Sequence, residues 1–126
     1  MSKAVAEILR KKAEGDFNAA VVLANADPPM NDETVGLHLQ QAVEKAAKAL
    51  LTRKDIQYPF THDIDALFRA LTAKGCPVPD RFAELDTLTL FATQARYERA
   101  VPPGSFDRTA FIDLTRRFLG WTDTSR

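Results

Sequence analysis

The sequence predicts an all-α fold: one domain over residues 1–126, built as an antiparallel up-and-down helical bundle of four main helices with a fifth packed on it. Three observations carry this prediction. Apolar residues recur at steps of three and four along five segments, the period of a helix with one buried face. Proline, glycine and Asx clusters punctuate the chain between those segments. No segment reads convincingly as a strand, and the connections are short, which favours antiparallel packing of successive helices.

The first helix is expected over residues 3 to 25, with Val5, Ile8, Leu9, Ala13, Phe17, Ala20, Val21 and Ala24 at helical spacing. Gly15 lies inside it at a cost of about 1 kcal/mol relative to alanine. Asn25, Asp27, Pro28 and Pro29 end it, because proline lacks the amide hydrogen and disfavours helical geometry in the residue before it. The second helix starts near Asn31 or Asp32, either of which can cap it, and runs to about Lys54. Leu39, Val43, Ala46 and Leu50 form its apolar stripe, and Ala42, Ala46 and Ala49 are small enough for another helix to approach. Gln41, Glu44, Lys45 and Lys48 occupy the opposite, solvated side. There a Glu44–Lys48 pair contributes only about 0.3–0.5 kcal/mol.

Residues Asp55 to Phe60 read as a loop. Thr61 is the expected cap of the third helix, with Asp63 and Asp65 in its first turn and Ile64, Leu67, Phe68 and Leu71 on its buried face. Lys74-Gly75 closes it. Asp80 caps a fourth helix whose apolar positions are Phe82, Leu85, Leu88, Phe91, Ala92 and Ala95, and which ends between Arg96 and Arg99 before Val101-Pro102-Pro103-Gly104. Ser105 caps the last helix, with Phe111, Leu114, Phe118 and Trp121 as an aromatic face, and a polar tail follows from Thr122.

Composition narrows the function. Lys plus Arg and Asp plus Glu number 17 each, so the chain lacks the basic excess of a dedicated nucleic-acid binder. Near-zero charge also leaves little repulsion between copies. A single cysteine, Cys76, excludes an internal disulfide and a cysteine metal cage, and suits a reducing compartment. The opening residues lack the apolar core of a signal peptide. No stretch reaches the roughly 20 apolar residues that span a bilayer. A cytoplasmic protein without membrane association is expected.

The two histidines are His38 and His62. HExxH, CxxC, GxGxxG and Walker-type patterns are absent. Ser2, Ser105 and Ser125 are the only serines, so no Ser–His–Asp site is indicated. A metal would need His62 with Asp63 or Asp65 and a remote ligand; no metal and no cofactor is expected. Gln94-Ala95-Arg96-Tyr97-Glu98-Arg99 stands out, because Arg96 offers a planar fork for phosphate or carboxylate and Tyr97 a stackable ring. The plainer alternative pairs Arg96 with Glu44 or Glu98 and uses Tyr97 to close the core.

Gln40 to Leu51 (QQAVEKAAKALL), then Thr61-His62-Asp63-Ile64, then Arg96-Tyr97-Glu98, in this order and at this spacing, resemble the HEPN domain family (higher eukaryotes and prokaryotes nucleotide-binding). The likeness runs from about Asp16-Phe17 to Trp121. It implies an all-helical bundle, commonly a homodimer, that partners a minimal nucleotidyltransferase in a toxin–antitoxin-like pair. Some members are metal-independent ribonucleases that carry an arginine followed four to six residues later by a histidine. Arg96 matches that arginine, but the histidine is missing, and Glu98 stands where the nucleotide-binding branch often has proline. Proton transfer by such a group contributes roughly 10²–10⁴-fold, and arginine cannot supply it near neutral pH.

The expectation is therefore a non-catalytic dimer that serves a nucleotidyltransferase by binding a nucleotide or by presenting a residue for modification. The alternatives are an RNase toxin that uses Arg96 with an unconventional base, and a structural adaptor without a ligand. The expected ligand site gathers Gln41, Glu44, Lys45, Lys48, His62, Arg96 and Tyr97 where the second helix, the start of the third and the end of the fourth converge. Lys48 and Arg96 would hold phosphate in a nucleotide or RNA, and Tyr97 would stack on a base.

Overall fold

The computed structural model describes residues 2–93 and 106–125. Arg96, Tyr97, Ser105 and the expected end of the fourth helix lie outside them. Helix α1 covers Ser2–Ala24, α2 Asp32–Arg53, α3 Ile64–Ala73 and α4 Arg108–Thr124, with a 3₁₀ helix over Asp80–Ala92 between α3 and α4. The fold is an all-α helical bundle, and the described residues contain no strand. Helix α2 is its axis: α1, α3, the 3₁₀ helix and α4 all pack on it.

That position follows from the α2 sequence. Val35, Leu39, Val43, Ala46 and Leu50 are buried along its length, and Ala42, Ala47 and Ala49 let neighbouring backbones approach. Asn31 caps it through a 2.8 Å hydrogen bond from the Thr34 amide to Asn31 Oδ1. At α3 the cap is Asp63, whose Oδ1 accepts from the Asp65 amide. Thr61, the expected cap, lies two residues before it and instead accepts from the Asp63 amide. Gly75, at φ 84°, ends α3 with its amide on the Thr72 carbonyl and the Cys76 amide on the Leu71 carbonyl, a Schellman closure. The cap of α4 is Asp107, which accepts from the Ala110 amide.

The fourth segment is 3₁₀ and not α. Its buried residues are Phe82, Leu85, Leu88 and Phe91, spaced by three throughout. In a 3₁₀ helix residues three apart eclipse, so this spacing makes one straight face. In an α-helix the same residues would drift by about 60° per step and could not all reach the core. Phe91 closes the segment against Gly36 of α2, where an added Cβ would lie 2.6 Å from its ring.

The aromatic face expected on the last helix packs with the 3₁₀ helix and α3. The Phe118 ring lies 5.2 Å from Phe68 and 5.3 Å from Phe82, with Trp121 at 5.7 Å. Arg108 to Asp32 ties the start of α4 to the start of α2, and Arg53 donates to the Thr122 carbonyl at the other end. Helix α1 departs from expectation on one face. Ala6, Ala13, Phe17 and Ala20 are buried, whereas Val5 and Ile8 are exposed.

Candidate functional site

The site grows from α2 and the segment that follows it. Beyond Arg53 the chain returns along α2 in extended form. The Tyr58 hydroxyl lies 3.5 Å from Thr52 Oγ1, the Lys48 ammonium 5.9 Å from the Phe60 ring centroid, and His62 Nδ1 2.9 Å from Glu44 Oε1. Tyr58, Phe60 and His62 alternate as in any extended chain, and successive members meet residues successively further back along α2.

Glu44 is the hub. Its side chain is only 5% exposed, so it does not lie on the solvated face expected for it. Three donors converge on it: Gln40 Nε2 at 2.9 Å, Lys48 Nζ at 2.9 Å and His62 Nδ1 at 2.9 Å. Burial pushes the carboxyl pKa up, but hydrogen bonds from Gln40, Lys48 and His62 outweigh it and hold it below the ordinary glutamate value. Glu44 is therefore an anion near neutral pH, and an anion can only accept. Nδ1 of His62 must then donate. In the neutral ring Nε2 becomes an acceptor, and it has no hydrogen-bond partner among the described residues. The ring is 59% exposed, so that nitrogen can meet a ligand.

Gln40, buried in α2, also donates to the His62 carbonyl at 3.0 Å, so backbone and side chain of His62 are both gripped. Gln41 joins through a 2.6 Å bond to Gln40 Oε1. Phe60 is fully exposed despite its neighbour Lys48. Lys45 belongs to a second cluster, where Asp16 of α1 binds both Lys45 and His38 of α2.

The structure thus brings Gln41, Glu44, Lys48 and His62 into one network and places Lys45 in the adjoining one. Arg96 and Tyr97 lie outside the described residues. Sequence reasoning missed four participants: Gln40, Asp16, His38 and Phe60. Gln40 had a signal, since it stands four residues before Glu44 on the same helical face. Phe60 had none, because a loop aromatic carries no periodicity. Among the described residues no group of three or more His, Cys, Asp and Glu side chains could hold a metal ion. No helix of the described residues is long and apolar enough to cross a membrane.

The cations of the site are neutralised in place. Lys45 and Lys48 face Asp16 and Glu44, two against two. What remains available among the described residues is an exposed flat ring, an imidazole with one nitrogen unengaged, and ammonium groups held at fixed positions. The site is a buried carboxylate at the centre of a helical bundle, ringed by these groups. Comparison with known proteins makes the class definite: a family model for the HEPN domain matches residues 6–124, nearly the whole chain, and the protein belongs to that family. No curated protein and no solved structure matches the chain.

Proposed function

We propose that this HEPN domain binds a nucleotide or RNA on the outer face of α2 without cleaving it, and acts as a homodimer beside a minimal nucleotidyltransferase. The single observation that carries the binding reading is the fully exposed Phe60 ring next to the Lys48 ammonium and the oriented His62 imidazole. A base stacks on an exposed aromatic face, a contribution of about 1–3 kcal/mol per base. Lys48 and the His62 imidazole would meet the phosphate. The HEPN membership supports the dimer and the nucleotidyltransferase partner as the family's usual setting.

The Glu44–His62 pair favours a second reading, the metal-independent RNase. A buried carboxylate behind an imidazole fixes the tautomer that leaves Nε2 free to take a proton, as a general base requires. The binding reading stands first because Lys48, the cation beside this pair among the described residues, already has its charge balanced by Glu44, whereas cleavage must offset the further negative charge that develops in a phosphorane. The test is incubation of purified protein with mixed RNA in EDTA, with His62→Ala and Arg96→Ala alongside. No cleavage is expected. Cleavage that disappears in His62→Ala would replace the first reading with the second.

A further inference from the structure

The outer face of α1 carries a seam that the described residues leave largely uncovered, with Ala19 half-buried at its edge. Val5, Ile8, Lys12, Gly15, Ala19 and Val22 recur at steps of three, four, three, four and three, which places them at the a and d positions of three consecutive heptads. Val5, Ile8 and Val22 are 48%, 54% and 68% exposed. Among the described residues nothing lies within 4 Å of where a Gly15 Cβ would be, so no contact among them explains a glycine in the middle of this helix.

The geometry points to a second copy of this chain as the occupant, paired through α1 in antiparallel fashion. This deepens the dimer in the function proposed above and rests on it. Antiparallel pairing about a two-fold axis between Lys12 and Gly15 sets an a position opposite a d position in every layer. Val5 then meets Val22 of the second copy, Ile8 meets Ala19, and the Lys12 stem crosses Gly15. The two largest side chains each face a small one, and this accounts for the solvent-facing glycine. Parallel pairing would instead put Lys12 against Lys12 in one layer and leave Gly15 against Gly15.

Charge agrees with the antiparallel register. Lys12 of one copy falls about one residue rise, roughly 1.5 Å along the axis, from the level of Asp16 of the other, on the same side of the seam. Asp16 is the residue that already holds Lys45 and His38 on the α2 face. The second copy therefore brings one more cation towards the Asp16 carboxylate, in the cluster that adjoins the proposed ligand site. A lysine at a single a position also selects one register over its competitors.

The experiment is light scattering at tens of micromolar, on the full chain, its Ile8→Glu and Val22→Lys variants, and mixed single-cysteine chains. Both substituted sites are exposed, so the fold should survive, and circular dichroism checks this. The native chain is expected near twice the 14.0 kDa of one copy, and both charge variants at that single-copy mass. In a Cys76→Ser background, Val5→Cys chains mixed with Val22→Cys chains should cross-link to each other on oxidation, and neither should cross-link to itself. A native monomer would overturn the dimer and this face together. A dimer that survives Ile8→Glu and Val22→Lys would overturn the face alone and leave the dimer standing. Self-cross-linking of Val5→Cys would overturn the antiparallel sense.

Discussion

Removing the Glu44 carboxylate is the most informative perturbation of the fold. Seen as a surface pair, Glu44 and Lys48 would contribute about 0.3–0.5 kcal/mol. The structure gives a larger figure. Glu44→Ala strips the acceptor from Gln40 Nε2 and Lys48 Nζ, and the Lys48 side chain is only 14% exposed. Breaking one partner out of a buried ion pair costs about 3–5 kcal/mol, because the remaining charge stays shielded from water. His62 adds little, since it is mostly exposed and can turn to solvent. For a chain of 126 residues each kcal/mol lowers Tm by roughly 4 °C, so the expected fall is roughly 12–20 °C. Urea denaturation at pH 7 measures the free-energy loss, and a thermal melt the fall in Tm. The double variant Glu44→Leu with Lys48→Met should recover much of the loss, since an apolar pair can replace a buried ion pair at little cost. A loss below about 1 kcal/mol in Glu44→Ala would show that the carboxylate is not the hub described, and the site would have to be rebuilt without it.

Three further predictions follow from single residues. Gly36→Ala should destabilise by about 1–3 kcal/mol despite alanine's better helix propensity, because its Cβ would sit 2.6 Å from the Phe91 ring; Phe91→Leu in the same chain should restore part of the loss on chemical denaturation. Thr115→Val should leave stability unchanged or raise it by about 1 kcal/mol, since the buried Thr115 hydroxyl oxygen has no hydrogen-bond partner among the described residues; a clear loss in the same assay would reveal one. Glu44 should also make stability depend on pH. Its folded pKa lies below the ordinary 4.5, so its stabilisation is present above that value and is lost as pH falls through the folded pKa. Glu44→Gln should flatten the acid limb of the stability profile, and an unchanged slope would contradict the assignment.

Much of the fold was legible because it rests on local chemistry. The stripe through Leu39, Val43, Ala46 and Leu50 and the set Ile64, Leu67, Phe68 and Leu71 are buried as their spacing requires. The helix limits near Pro28, Lys54 and Gly75 follow from residues that cannot continue a helix or that favour its end. The misreadings have physical causes. Any single three-residue step among Phe82, Leu85, Leu88 and Phe91 also occurs in an α-helix, and only its unbroken repetition marks the 3₁₀ form. Val5 and Ile8 fit the helical period of α1 as well as Ala6 and Ala13 do, but small alanines face α2 while the larger residues face out. No local rule distinguishes those two faces. The burial of Glu44 depends on the extended segment folding back to deliver His62, a contact across 18 residues that spacing on α2 cannot foretell.

The proposed function centres on ligand binding at Phe60, Lys48 and His62. The most direct measurement is an NMR titration of the ¹⁵N-labelled chain with an adenine mononucleotide and, separately, with a short single-stranded RNA. Binding is expected to shift the amides of Phe60 and His62 and of Gln41 through Lys48, to move the Phe60 ring resonances upfield through stacking, and to be weakened at least tenfold by Phe60→Ala. Shifts absent from these residues with both probes at millimolar concentration, or binding that Phe60→Ala leaves unchanged, would contradict the site.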